Sequence, residues 1–212
     1  MSSTFSDPRE PAHVPEPVAL VARLMSTFPG WWALCGGWAV DAWLGRITRD
    51  HGDIDFAIFQ DEQGALFEHL AGWRLIGHDD NVADDSQEPW DGRWLDVPAH
   101  IHARHDDGSD LDIQVNLGSP GEWVFRDEPR IRIPGAAIRP SGWGVPTAAP
   151  EVLLLYKAHP PVWRDTARVA TRRRDERDFE ALLPALDEGQ RSWLRDAVTL
   201  VAPGHPWLER LS

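Results

Sequence analysis

The chain has 212 residues, with 34 Asp and Glu against 21 Lys and Arg and a formal net charge of -13. This acidic balance disfavours sequence-independent binding of duplex nucleic acid, which needs a cationic surface. A single cysteine excludes an intramolecular disulfide framework and a cysteine-rich zinc site. No apolar run reaches the about 18–20 residues of a membrane span, and no secretory signal is visible, so we expect a cytoplasmic protein.

The first half of the chain mixes helical and strand patterns. Residues 1–13 are rich in Ser, Pro and Asp and show no period, which predicts a flexible tail. Apolar spacing predicts a helix from Glu16 to Phe28, followed by a short buried strand that ends at Gly36-Gly37. A helix is then predicted from Trp38 to Leu44. Strict alternation from Asp53 to Phe59 predicts a strand.

Further along, Asp61 is predicted to cap a helix that runs to Leu70, followed by a strand from Trp73 to Ile76. Residues 77–98 are predicted to form a long loop. Asp107-Gly108 indicates a hairpin turn between two strands. These two strands are predicted at His100–Arg104 and Leu111–Val115, and one or two further short strands are predicted within Trp123–Ile138.

The pattern changes after Thr147, where three helices are predicted, the last beginning at a capping box of Asp187 and Gln190. They cover Glu151–Ala158, Asp175–Leu186 and Gln190–Val201. The predicted fold class is therefore α+β, with a mixed sheet flanked by helices in residues 14–146 and a helical C-terminal subdomain in residues 147–212.

Asp53 and Asp55 form the sharpest local feature. Side chains at positions i and i+2 of a strand share a face, roughly 6.5–7 Å apart along the chain. A divalent cation relieves the repulsion between two such carboxylates, and Mg²⁺ binds carboxylates together with substrate phosphates. Asp112, on a strand with the same alternation, is the candidate for a third carboxylate of a two-metal site. An Asp-x-Asp pair alone is more typical of a solvated strand edge, so the upstream residues decide.

Those upstream residues combine a glycine pair with cationic side chains. Gly36-Gly37 joins a strand to a helix 16 residues before Asp53, where backbone N–H groups can approach an anion. Arg46, Arg49 and His51 then lead into the carboxylate pair. The pattern predicts a phosphate-binding loop, guanidinium groups and a metal-binding pair within one compact unit.

The stretch from Ala33 to Asp55 resembles the signature of small bacterial nucleotidyltransferases of the DNA polymerase beta superfamily. The shared features are Gly-Gly-Trp, a helix that ends in Gly-Arg, and then Thr-Arg-Asp-His-Gly-Asp-Ile-Asp. The likeness is greatest to aminoglycoside 2''-adenylyltransferases and lincosamide nucleotidyltransferases, and it extends more weakly to Leu111-Asp112-Ile113. The helical C-terminal half matches in general layout only.

The resemblance implies Mg²⁺-dependent transfer of a nucleoside monophosphate from an NTP, with ATP expected, to a hydroxyl of a small molecule such as an aminoglycoside or lincosamide. Asp53 and Asp55 would hold the metals, with two ions expected. Asp112 would be either the third ligand or the general base. The implied nucleotide-binding residues are Gly36, Gly37, Arg46, Arg49, His51 and Lys157.

Two of these assignments have purely structural alternatives. His51 either contacts the triphosphate or orders the turn. Lys157, the only lysine of the chain, either binds the triphosphate or is a surface lysine at a helix end.

Three other segments carry weaker hypotheses. The acidic segment Asp79–Asp96, which contains Trp90 and Trp94, is either an acceptor-binding loop or a solvated loop. The run Arg172–Asp178 is typical of a helix start with surface ion pairs. His100 and His102 share a strand face, more often for packing than for metal binding.

Two other functions stay open on the sequence: a nucleotidyltransferase that modifies protein or tRNA, and a non-catalytic nucleotide-binding protein. The acidic charge disfavours tRNA, and the oligomeric state is open.

Overall fold

The computed structural model describes residues 14–79, 88–135, 137–159 and 168–212. The tail predicted at residues 1–13 lies outside these ranges. The described helices are α1 (Glu16–Leu24), α2 (Gly36–Leu44), α3 (Gln63–His69), α4 (Pro150–Ala158), α5 (Arg168–Leu182) and α6 (Glu188–Val201). The described strands are β1 (Trp32–Leu34), β2 (Ile54–Phe59), β3 (Arg74–Asp79), β4 (Ala99–Arg104), β5 (Asp110–Ser119), β6 (Glu122–Val124), β7 (Arg132–Pro134), β8 (Ile138–Pro140) and β9 (Pro146–Ala148).

Within the described residues the strands form one mixed sheet in the order β3-β4-β5-β2-β1-β9-β8, while β6 and β7 continue from β5. The pairs β2–β5 and β1–β9 are parallel. The other pairs are antiparallel. Helices flank this open sheet, which confirms the predicted α+β class.

The two faces of the sheet have different partners. On β2, Ile54, Phe56 and Ile58 are buried in the hydrophobic core, as the alternation predicted. Asp55 and Ala57 point to the opposite face, where they line a cavity together with residues of α4 and α5. The period of two in β2 therefore separates the core from the candidate site.

Element boundaries differ from the sequence predictions at three places that matter. α2 begins at Gly36 rather than Trp38, because Gly36 turns the chain directly out of β1 with a φ of +64°. Asp61 does not cap α3. α3 begins without a side-chain cap, and the carboxylate of Glu62 accepts the N–H groups of Trp31 and Phe59, at 2.6 and 3.2 Å.

The third difference is that β3 continues to Asp79 rather than ending at Ile76, since it pairs with β4 over its whole length. The predicted loop is correspondingly shorter, and its residues 80–87 lie outside the described ranges.

The boundary predicted between residues 146 and 147 falls inside β9, whose Thr147 pairs with Leu34 of β1. The division into two domains stays a prediction. The capping box of α6 is present as predicted: Asp187 accepts the N–H of Gln190 at 2.8 Å, and Gln190 accepts the N–H of Asp187 at 2.9 Å. Across the described residues, no helix combines the length and the apolar character needed to cross a membrane.

Candidate active site

Two of the three predicted carboxylates lie side by side on the parallel strands β2 and β5, where Asp55 pairs in register with Asp112. Asp53 comes directly before β2 rather than within it. All three line one cavity of about 700 Å³, a volume typical of small-molecule sites. Adjacent carboxylate oxygens are the ligands that Mg²⁺ prefers, and nucleotide phosphates and water complete its octahedral shell.

The start of α2 lies against these carboxylates. A Cβ atom added to Gly36 would overlap the carboxylate of Asp55, and one added to Gly37 would overlap the side chains of Arg49 and His51. Only glycine therefore lets the first turn of α2 approach the charged groups so closely. Gly36 and Gly37 both line the cavity, and a helix N-terminus attracts anions.

Two cations that line the cavity share one buried carboxylate. Nζ of Lys157 on α4 lies 2.7 Å from Oδ2 of Asp178 and 3.3 Å from Oδ1 of Asp175. Nη2 of Arg49 lies 3.3 Å from the same Oδ2 of Asp178, whose side chain is 2% exposed. The prediction that this run of α5 makes surface ion pairs is wrong for Asp178, which is buried between the two cations.

His51 lines the same cavity, and a buried network holds its ring. Its Nε2 lies 2.6 Å from Oδ2 of Asp41, which also accepts the N–H of Thr48 at 3.1 Å. The hydroxyl of Thr48 donates to the other oxygen of Asp41 at 2.5 Å. Burial raises the pKa of Asp41, but the hydrogen bonds from His51 and Thr48 outweigh it and leave that pKa below its ordinary value. This geometry supports an ordering role for His51, and its contact with a triphosphate stays a prediction.

Replacing Asp41 with asparagine is expected to destabilise the fold by about 1–3 kcal/mol, because an amide cannot accept on both sides. The folded-state pKa of Asp41 is lowered, so its contribution is present above the ordinary Asp value of about 3.9 and is lost as pH falls through the lower folded value. Urea unfolding of both proteins between pH 7 and 3 tests this. A stability difference that stays constant to pH 3 would contradict it.

Arg46 is not brought to the site. Its side chain is exposed and does not line the cavity, and its backbone N–H donates to the carbonyl of Asp41 at the end of α2. The sequence placed Arg46 close to the carboxylates along the chain. However, α2 ends at Gly45, at the far end from the glycine pair.

Arg126 also lines the cavity and was not predicted from the sequence. Its side chain is 8% exposed, its Nε–H has no hydrogen-bond partner among the described residues, and its guanidinium lies 5.7 Å from the centre of the Tyr156 ring. A nearly buried guanidinium beside a cavity is suited to bind an anionic ligand. Arg126 follows a short strand in a segment without a motif, so no local signal pointed to it.

The acidic segment is only partly described. Trp90 is buried and packs edge-on against Phe67 at 5.4 Å, with its indole against Gly77 on the face of β3 opposite His78. Trp90 is therefore a core residue, and the hypothesis that it offers a ring to an acceptor is wrong. Trp94 is 54% exposed, and its Nε1 donates to Asp96 at 3.0 Å.

Cys35 lines the same cavity as the carboxylates. Burial, together with the negative charges of Asp55 and Asp112, raises the pKa of its thiol well above the ordinary value. The thiol therefore stays protonated at neutral pH.

Residues 18–139 match the family described as Aminoglycoside-2''-adenylyltransferase. This match covers more than half of the chain and includes the glycine pair and all three carboxylates. The chain belongs to the aminoglycoside-2''-adenylyltransferase family. The resemblance stated from the sequence is thereby confirmed.

Curated relatives are similar to the chain in sequence over a short stretch. A 2''-aminoglycoside nucleotidyltransferase of Escherichia coli and one of Klebsiella pneumoniae are each 50% identical to the chain over 40 residues, which is 18% of this chain. The chain thus spans only 23% of the length of these relatives.

Three solved structures share the fold of this family member at 18% identity. The solution structure of the antibiotic-resistance factor ANT(2'')-Ia has a TM-score of 0.54, with 85% of this chain and 89% of that chain covered. ANT(2'')-Ia in complex with adenylyl-2''-tobramycin has a TM-score of 0.51, with coverage of 87% and 98%. Lincomycin-bound lincosamide adenylyltransferase LnuA has a TM-score of 0.50, with coverage of 80% and 96%.

Proposed function

We propose that the protein is a Mg²⁺-dependent nucleotidyltransferase that moves AMP from ATP to a hydroxyl of a small antibiotic, an aminoglycoside or a lincosamide. One observation carries the proposal. Asp53, Asp55 and Asp112 line the same cavity as Arg49, Lys157 and the glycine pair at the start of α2. Carboxylates suit metal ions and the cations suit phosphates, and the family and its structural neighbours supply the class of acceptor.

The donor set fits the implied metal. The three aspartates offer oxygen ligands only, which suits Mg²⁺ and not a thiolate- or imidazole-binding ion. Bound there, the metal would neutralise charge on the phosphates and activate the acceptor hydroxyl.

The chain's own groups divide the remaining work. The N–H groups of the first turn of α2 and the cations Arg49 and Lys157 bind and orient the triphosphate, with Arg126 as an additional anion contact. Asp112 acts as a third metal ligand or accepts the proton of the acceptor hydroxyl.

Asp178 holds the two cations in place before nucleotide binds. Its buried carboxylate compensates Arg49 and Lys157, which keeps both side chains on the cavity wall. A triphosphate with several negative charges competes with this one carboxylate for the cations. Binding through these residues therefore exchanges one set of charge-assisted hydrogen bonds for another.

A transfer assay tests the proposed function. The protein is incubated with Mg²⁺, each labelled nucleoside triphosphate and a panel of aminoglycosides and lincosamides, and the products are separated by mass. We expect adenylylated antibiotic. Nucleotide binding without transfer to any acceptor would favour a non-catalytic protein, and label on protein or tRNA would favour a macromolecular acceptor. Either outcome overturns the proposal.

Replacing Lys157 with methionine is expected to raise the KM for the nucleotide at least about 10-fold, because a charge-assisted contact to phosphate is lost. Lys157→Arg keeps the charge but loses the compact ammonium, so an intermediate effect is expected. Steady-state kinetics with varied nucleotide measures both. Arg195→Met on α6, which removes an exposed cation, is the control and is expected to leave KM unchanged. An unchanged KM in Lys157→Met would remove Lys157 from the nucleotide site.

A further inference from the structure

Three imidazoles cluster on the sheet face that carries Asp112. They stand on β3 and β4, the strands that follow β5 in the order of the sheet. His78 on β3 lies directly opposite His100 on β4, and His102 follows two residues later on β4, so the three side chains share one face. Their ring centres are 4.7 Å apart for His78 and His100 and 5.0 Å apart for the two pairs with His102. One nitrogen of each ring lies within 4.8 Å of the other two, and all three side chains are half-buried.

We propose that His78, His100 and His102 form a binding site for a borderline transition-metal ion such as Zn²⁺, next to the carboxylate site and with a different set of ligands. Neutral imidazole is the preferred ligand of zinc, copper, nickel and cobalt, whereas Mg²⁺ prefers oxygen. An all-histidine set therefore selects against the ion that the three aspartates would hold. Three protein ligands leave a fourth position for water or another molecule.

The geometry is close to that of a zinc site. With Zn–N bonds of about 2.0–2.1 Å, the nitrogens of a tetrahedral site lie about 3.3 Å apart. The ligand nitrogens lie within 4.8 Å of one another, so small side-chain rotations are enough to reach this spacing. The three residues stand on paired strands, which hold their backbones in place. The backbone thus fixes the directions of the ligands, and only the rings adjust.

A carboxylate adjoins the cluster. Nε2 of His102 lies 3.6 Å from Oδ1 of Asp112, so in the proposed site Nδ1 of the same ring would bind the ion. A histidine that binds a metal through one nitrogen commonly turns the other towards a carboxylate, which fixes the ring and raises its basicity. His102 would be such a histidine, with Asp112 on one side of its ring and the other two imidazoles on the other.

Metal binding is measured on the full-length protein without a polyhistidine tag and in excess Mg²⁺, which occupies the oxygen ligands. Zn²⁺ is titrated against a chromophoric chelator, and Co²⁺ is titrated for the visible absorption of nitrogen-ligated cobalt. We expect one ion per chain. His78→Asn and His100→Asn are each expected to weaken Zn²⁺ binding at least about 100-fold.

Two variants serve as controls. His105→Asn removes a histidine in the nearby hairpin, and Asp55→Asn alters the carboxylate site, so neither is expected to change Zn²⁺ affinity. Circular dichroism and urea unfolding of the metal-free variants verify that each folds. Absence of a one-to-one complex would overturn the proposal, as would Zn²⁺ binding that survives in the double variant of His78 and His100. Neither result depends on nucleotidyl transfer.

Discussion

Asp55→Asn is expected to lower the rate of nucleotide transfer at least about 10²–10³-fold, the scale of removing one key electrostatic group from a reaction site. Asparagine keeps the shape of the side chain and removes its charge. Asp55 lies in register with Asp112 and against the first turn of α2, where the proposed metal and triphosphate would meet. Loss of one negative charge there weakens the metal site without creating a cavity in the core.

The same substitution is expected to leave the melting temperature unchanged or to raise it, because it relieves repulsion from Asp53 and Asp112. Mg²⁺ with nucleotide is expected to raise the melting temperature of the native protein more than that of the variant. This opposite response of activity and stability separates loss of a functional group from unfolding.

Asp50→Asn is the matched control for Asp55→Asn. Asp50 is exposed and accepts a hydrogen bond from Arg49 through its backbone carbonyl, which the substitution keeps. We expect near-native transfer from it. Undiminished transfer by Asp55→Asn, measured beside this control, would exclude the proposed metal role of Asp55.

Local patterns in the sequence predicted the elements on which the candidate site stands. Alternation along β2 identified which side chains are buried and which face the cavity. The glycine pair indicated the close approach that the structure has between α2 and Asp55. Asp112 was predicted as a third carboxylate on an adjacent strand, and the structure places it in register with Asp55.

Features that depend on tertiary packing could not be predicted from local patterns in the sequence. Asp178 lies in a run of Arg, Asp and Glu typical of a surface helix, yet the packing of α5 against α2 and α4 buries it between two cations. His78 escaped notice because the predicted strand ended at Ile76. The pairing of β3 with β4, which places His78 beside His100, is a non-local contact that no local period encodes.

Arg46 shows the converse error, since closeness in the chain suggested closeness in space. α2 is nine residues long, and at a rise of 1.5 Å per residue its two ends lie about 12 Å apart. Arg46 follows one end and the glycine pair forms the other. Arg49 lies between Thr48 and His51, whose hydrogen bonds to Asp41 hold this turn, and its side chain lines the cavity.

Gly36→Ala is expected to reduce transfer at least about 10²-fold, because the new methyl group must displace the carboxylate of Asp55. Misplacement of a reacting group by about 1 Å is enough for a loss of this size. The substitution also carries a conformational cost of about 1–2 kcal/mol, because Gly36 has a φ of +64°, where L-residues are strained.

Gly45→Ala separates these two effects. Gly45 ends the same helix with a nearly identical φ of +65°, but a Cβ added there meets no atom within 4 Å. Gly45→Ala is therefore expected to lose stability through backbone strain alone and to keep transfer, whereas Gly36→Ala loses transfer and additional stability, because Asp55 must shift. Equal losses of activity would assign the effect to backbone strain. Full activity in a folded Gly36→Ala would show that the position of the Asp55 carboxylate against α2 does not control the reaction.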